Sequence, residues 1–234
     1  MTAHAPEPPR DEAVFRCHDV TRVYGNGRGA VVAVHDVACT VAPRARIALT
    51  GPSGSGKSTL LHLMAGLDQP THGTVSWPGL GGSPTQNREL VGVVFQNPSL
   101  LEPLDVRENI EFPLRVHGMN RDLARRRSEQ ALSALGLQDL GPRLPEELSG
   151  GQAQRVAAAR VLAGCPRLIL ADEPTGQLDH ETGDRVVTAL LTAADRLGAA
   201  LVVATHDRAV ADRLAQRWPM SHGQLTIPTG EDDA

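Results

Sequence analysis

The sequence predicts an α/β fold: a mostly parallel sheet covered by helices, an antiparallel β region before it and a helical insertion within it. Three observations predict this. Short apolar runs at 45–50, 91–96, 168–170 and 200–205 have the length and continuity of strands buried on both faces. Two alternating runs, 13–24 and 30–41, flank the loop GNGRG and read as an antiparallel pair. Between about 97 and 150 the apolar spacing turns helical, in DVRENIEF and RDLARRRSEQALSAL.

Taken in order, the first twelve residues, MTAHAPEPPRDE, are polar and proline-rich. They lack the apolar centre of a secretory signal, and a disordered lead over 1–12 is expected. A single domain is expected over 13–230. His-Asp-Val stands in both early strands, at 18–20 and 35–37, too short to be a repeat. The run 45–50 feeds a glycine-rich loop, and 57–67 then has helical spacing that stops near Gly66. A helix is expected over QAQRVAAARVLA and one more after His206, before a terminal hairpin in RWPMSHGQLTIP turning at His222-Gly223.

Composition narrows the function classes. A formal net charge of −4 argues against a dedicated nucleic-acid binder, which would normally carry a basic face, and no nucleic-acid partner is expected. Arg125, Arg126 and Arg127 read as the solvated face of a helix. The longest smoothly apolar stretch, 199–204, is six residues, against about 20 for a membrane span. Cys17, Cys39 and Cys165 are odd in number, without a CxxC pair, and read as reduced, mostly buried thiols.

The basic side chains number 23, and Lys57 is the one lysine among them. It stands in GPSGSGKS, which fits G-x-x-x-x-G-K-[ST] at every fixed position between an expected strand and an expected helix. That context makes a P-loop, and the fold a P-loop NTPase core. Gly51, Pro52, Ser53, Gly54, Ser55 and Gly56 form the cradle, whose backbone N–H groups turn toward phosphate oxygens. Ser58 offers a hydroxyl to Mg²⁺, and Thr59 follows it in the first helical turn. A compact ammonium suits the narrow cradle, where the planar fork of arginine would crowd the amides.

RLILADE, 167–173, is an apolar strand ending in Asp172 and Glu173. An acid at such a strand end holds Mg²⁺ through its water shell, and a second beside it is placed to activate a water. LSGGQ, 148–152, is the third element. A capping box accounts for Ser149 and Gln152. It leaves Gly150 and Gly151, poor helix formers, unexplained unless an anion approaches the backbone there. Two helix N-termini would then be ready for phosphate, with one P-loop to supply it.

On these residues the chain resembles the nucleotide-binding subunit of an ATP-binding-cassette (ABC) transporter over nearly its whole length, and the ABC ATPase fold is implied. The resemblance adds roles residue by residue. Tyr24 stacks on adenine, and Gln96 reaches Mg²⁺ and senses the membrane partner. Asp179, ending Gln177-Leu178-Asp179, lies in the loop that crosses a dimer. His206 contacts the γ-phosphate. It implies ATP and Mg²⁺ as ligands, the metal held through Ser58, Gln96 and Asp172, with Glu173, His206, Lys57 and Gln96 catalytic. It implies a homodimer closing around two ATP, with Ser149, Gly150, Gly151 and Gln152 of one copy on the ATP of the other. A separate integral-membrane permease docks near Gln96 and the insertion, which places the chain in the cytoplasm, peripheral on the inner face of the cell membrane.

HLMAGLDQPTHGTV, ENIEFPLRVHGM and ADEPTGQLD look most like the branch serving macrolide exporters and lipoprotein-release complexes. Ala153, where Gln or Glu is usual, and Gln177, where that branch often has Asn, depart from it. The implied work is export or release of a hydrophobic or amphipathic substrate. The alternatives are an ATPase that signals or transmits force without moving solute, and a soluble cassette acting on nucleic acid.

Overall fold

The computed structural model describes residues 12–227 except Gln177, and the side chains of Arg28 and Arg88 also lie outside the description. The expected lead over 1–12 falls almost wholly outside the described residues.

β1 (Phe15–Tyr24) and β2 (Val31–Val41) form the expected antiparallel pair. The repeated His-Asp-Val has a structural consequence. Pairing steps from Cys17↔Cys39 to Val20↔Val37, one residue extra in β1, and then to Arg22↔Val34, one extra in β2. Asp19 and Asp36, the middle residues of the two tripeptides, both have positive φ (50° and 47°). Each strand bulges at its own tripeptide, the two offsetting one another, and a third irregularity between Arg22 and Val23 adds one more residue to β2.

β3 (Arg46–Thr50) runs into the glycine-rich loop, and α1 (Lys57–Met64) follows. β4 (His72–Ser76) is a strand the sequence reading does not contain; it completes a three-stranded antiparallel sheet in the order β2-β1-β4. β5 (Val91–Val94) opens the insertion, which carries α2 (Val106–Val116) and α3 (Arg121–Ala134). Asp105 and Glu108 close a capping box on α2, and Asn120 caps α3. Arg125 and Arg126 are exposed, as the solvated face requires, whereas Arg127 is half-buried.

α4 (Gly150–Ala163) leads back to β6 (Leu168–Asp172), then come α5 (His180–Leu197), β7 (Ala200–Thr205) and α6 (Arg208–Ala211). The helix expected after His206 is thus one short turn. β8 (Gln216–Ser221) and β9 (Gln224–Leu225) make the terminal hairpin. The central sheet runs β5-β6-β7-β3-β8-β9, parallel except for the last pair.

Every residue of β6 and β7 is buried, because both faces of the sheet are covered. Successive side chains alternate between two cores. Leu168, Leu170, Val202 and Ala204 face the core shared with α1 and the antiparallel sheet. Ile169, Ala171, Leu201 and Val203 face the core shared with the insertion and α5. α5 buries Val186, Val187, Leu190 and Ala194 along one stripe and ends at Gly198 in the left-handed conformation. Burying each of the larger three contributes about 1.5–3 kcal/mol, which fixes α5 and the loop before it.

Cys17 and Cys39 are buried opposite one another, with sulfurs 3.3 Å apart. Their shared hydrogen bond, with burial, pushes the Cys39 thiol well above its ordinary range. The expectation that all three thiols are mostly buried fails at Cys165, which is exposed. It occupies the left-handed turn that leaves α4, at φ 54°, where the side chain stays outside the core.

Candidate functional site

Helix α1 begins inside the glycine-rich loop, and the loop's shape is dictated by what lies behind it. At Gly51 (φ 153°) a Cβ would stand 2.1 Å from the Met220 carbonyl oxygen, and at Gly56 (φ 103°) 2.2 Å from that of Ala33. Neither carbonyl can give way, since β8 and β2 hold them, so only glycine fits at either place. At Gly54, by contrast, a Cβ would meet nothing within 4 Å, which leaves the loop open on its outer side. Pro52, Ser53 and Ser58 are exposed, Thr59 is half-buried, and Ser55 is buried with a hydroxyl that has no partner.

The Lys57 side chain is only 6% exposed, and its ammonium donates to the carbonyls of Gly51 at 2.8 Å and Pro52 at 3.0 Å. Glu173 Oε1 lies 3.7 Å from the same ammonium, and its Oε2 lies 2.9 Å from His206 Nδ1. Lys57, Glu173 and His206 therefore meet just beyond the carboxyl ends of β3, β6 and β7, which are neighbours in the sheet. That crevice is where open α/β sheets bind ligands. Glu173 sits at φ 45°, unusual for a residue with a long side chain. Its backbone N–H still donates to Ala204 at 2.9 Å, so the strained residue stays tied to β7. At such a separation the attraction to Lys57 is on the order of 4 kcal/mol before desolvation. A strongly anionic ligand is needed to part the two.

Asp172 ends β6, is 9% exposed, and its buried Oδ1 has no hydrogen-bond partner. An orphaned carboxylate oxygen is costly unless a cation or bound water completes it. Ser58, Gln96 and Asp172 are the candidate donors, and among the described residues no three His, Cys, Asp or Glu side chains gather to hold a metal. This donor set fits Mg²⁺, which takes few protein oxygens and keeps waters and phosphate oxygens for the rest.

Gln96 lies two residues past β5, so the strand expected to reach it stops short. With Gly150, Pro174 and Leu178 it lines a cavity of about 40 Å³. It is thus gathered with the start of α4 rather than with Lys57. Two side chains of α4 fix its loop, and the sequence reading names neither. Gln154, 3% exposed, donates to the Phe95 carbonyl at 2.9 Å. Arg160 donates to Ser99 at 2.9 Å and Pro98 at 3.0 Å. Burial pulls its pKa below the guanidinium's usual value.

Ser149 caps α4, and both arms of its box with Gln152 are made, at 3.3 and 2.9 Å. Of the two glycines that follow, Gly150 faces open space. At Gly151 a Cβ would come within 2.6 Å of Thr182 Cγ2, so packing on α5 already accounts for that glycine. Asp179 caps α5 by accepting from the Thr182 N–H at 3.0 Å, a bond that holds its carboxyl below the usual range. Gln177 lies outside the described residues. Tyr24 ends β1 and is 39% exposed, its hydroxyl on Asp68.

Among the described residues no helix is long and apolar enough to cross a membrane. Residues 34–176 match the family described as ABC transporter. The lipoprotein-releasing system ATP-binding protein LolD of Nitrobacter hamburgensis is 37% identical over 222 residues, 91% of this chain and 94% of its own. LolD of Shewanella oneidensis is 36% identical over 225 residues, 93% and 97% of the two chains. Among solved structures, the ATP-binding cassette MJ0796, a dimer in a post-hydrolysis state bound to ADP and Pi, superposes with a TM-score of 0.82. It is 32% identical and covers 92% of this chain and 99% of its own. With a P-loop at the end of β3, an acid pair at the end of β6 and a capped LSGGQ helix, the chain belongs to the ABC transporter family, as one of its ATP-hydrolysing cassettes.

Proposed function

We propose that this cassette drives a separate membrane permease that releases a lipid-anchored or amphipathic cargo from a membrane, working from the cytoplasmic face with residues 13–230 as one unit. The observation that carries the catalytic part is Glu173 lying between Lys57 and His206. The Lys57 ammonium, the His206 ring and one carboxylate at adjacent strand ends form a place from which a γ-phosphate displaces the carboxylate and takes over both of its partners. Glu173, freed from Lys57, then faces the bond to be hydrolysed and accepts a proton from the attacking water at its carboxylate. Lys57 and His206 hold the charge growing on the phosphoryl oxygens. Ser58, Gln96 and Asp172 would hold Mg²⁺, which when bound neutralises charge on the β- and γ-phosphate oxygens.

Two copies close around two ATP, Ser149, Gly150 and Gly151 of each completing the other's site. The open space at Gly150 supports this, since nothing in its own chain fills it. Docking beside Gln96 is supported by the apolar side chains left exposed on and before α2, Leu101, Phe112 and Val116. The cargo class rests on the lipoprotein-releasing relatives.

The test is to purify the chain from its host with the membrane protein that accompanies it and reconstitute both in liposomes holding an acylated lipoprotein. Mg·ATP is expected to release the lipoprotein to an acceptor. Glu173→Gln should keep Mg·ATP binding but slow turnover by about 10²–10⁴-fold, and stop release. ATP hydrolysis by the wild-type complex with no cargo leaving the bilayer would overturn the release reading.

A further inference from the structure

We infer that Asp68 and Arg22 are positioning residues that lock Tyr24 as a one-faced platform for the purine of ATP, an inference that rests on the base-stacking reading of Tyr24. The Asp68 carboxylate meets four donors, three by hydrogen bond and one by ion pair. Arg22 Nε reaches its Oδ2 at 2.9 Å, and Arg22 Nη2 its Oδ1 at 2.8 Å. The Tyr24 hydroxyl donates to Oδ2 at 2.7 Å, and the Gln69 N–H to Oδ1 at 2.7 Å. A carboxylate offers about four acceptor sites, so this one is saturated. The bidentate fork with arginine also sets the plane in which it lies. Burial raises the Asp68 pKa, but the Tyr24 hydroxyl, the Gln69 amide and Arg22 outweigh it and leave the group below its usual range.

The same guanidinium covers one face of the Tyr24 ring, its central carbon 4.5 Å from the ring centroid. A half-exposed aromatic is thereby pinned at its backbone by pairing with Val31, at its hydroxyl by Asp68 and on one face by Arg22. A single face remains for a flat ligand. Arg22 and Asp68 cancel in charge, so the clamp adds little pull on a triphosphate. Its effect falls on the base.

The clamp also ties the platform to the phosphate cradle. Asp68 follows α1, whose first residue is Lys57, and its N–H donates back to the His62 carbonyl of that helix at 3.3 Å. Thr71 fastens the same segment to β1, accepting from the Val23 N–H at 3.0 Å and donating its own N–H to Thr21 at 2.8 Å. Base platform and phosphate cradle are thus held at one spacing by a helix, so a loosened Tyr24 should cost affinity for ATP without touching the hydrolytic step.

The experiment compares ATP with tripolyphosphate, which has the phosphates and no base. Tyr24→Ala should weaken ATP by about 5–150-fold, the range expected for losing one base–aromatic stack. Asp68→Asn should raise the KM for ATP by part of that, about three- to tenfold, at nearly constant kcat. It should leave tripolyphosphate affinity, read by thermal shift, unchanged. In a Tyr24→Phe background, where the hydroxyl is gone, Asp68→Asn should cost less. If Asp68→Asn weakens ATP and tripolyphosphate alike, or neither, while Tyr24→Ala weakens ATP alone, the clamp is wrong and the platform reading stands. If Tyr24→Ala leaves ATP affinity intact, the platform reading itself fails, and the clamp with it.

Discussion

The two phosphate-ready helix starts of this chain, at Lys57 and at Gly150, are built in opposite ways. At the first, everything turns inward. The loop is wedged against Met220 and Ala33, and Lys57 is held by two carbonyls and faces Glu173. At the second, the local groups satisfy one another through the Ser149–Gln152 box, and the one position with room, Gly150, looks out of the molecule. One end is an enclosed pocket; the other is a finished surface with open room at Gly150. The difference teaches that helix N-termini of similar electrostatic character acquire different jobs from what stands in front of them.

The sharpest way to break this contrast is at the enclosed end. Lys57→Arg keeps the charge but places a broad fork where an ammonium is only 6% exposed between two carbonyls and a carboxylate. ATP turnover, followed as phosphate release, is expected to fall to background while the melting transition stays cooperative. Near-normal hydrolysis by this variant would sink the steric account of the chain's single lysine.

At the open end the prediction is complementation between two inactive variants. Ser149→Arg blocks the outward surface and leaves its own cradle intact; Lys57→Ala does the reverse. Mixed together, they can form one composite site with neither defect, so partial activity should return. Because both sites of a dimer can be required at once, a second measurement stands beside it. Glu173→Gln with Mg·ATP should run as a dimer in light scattering. A monomer at tens of micromolar, with wild-type turnover strictly proportional to protein concentration, would mean that the isolated chain does not share its site.

How much of this was legible before the fold follows the same division. The enclosed end is written in contiguous residues, GPSGSGKS and LILADE, because a loop and a strand end place their groups by local geometry. His206 and LSGGQ are as local, and were read. What went unread depends on distant partners. Asp68 meets Tyr24 across 44 residues, and Gln154 meets Phe95 across 59. A buried glutamine in a helix looks in sequence like a solvated one. β4 gives almost no alternation, since four of its five residues are exposed. α5 did carry a signal, the stripe 186, 187, 190 and 194 between the cap Asp179 and Gly198. Its threonines and Gly183 are weak helix formers, which blurred that stripe. Cys17 and Cys39 come together across a strand pairing that shifts register three times, which no spacing rule contains.

The contrast extends, at its weakest, to the insertion. Charges in the enclosed centre compensate one another, whereas Glu111 on α2 is left short. Burial raises its pKa, and Arg107, Arg125 and Arg115 lower it by less, with Asp105 adding a little to the rise. A raised carboxyl pKa means that the folded state holds the proton more tightly than the unfolded chain. The fold is therefore favoured at pH below the ordinary value of 4.5 and penalised as pH climbs through the raised one. Glu111→Gln removes that penalty. It should be slightly more stable than wild type at pH 7 and lose the advantage near pH 4. Because the residue is largely solvated, the gain should be small against the roughly 2–4 °C that 1 kcal/mol is worth in a chain of this size. Calorimetric melts at the two pH values decide it. A variant less stable at pH 7 would show that attraction to the three arginines outweighs burial. The insertion would then be as internally balanced as the cradle, and the difference between the two regions would end at Gly150.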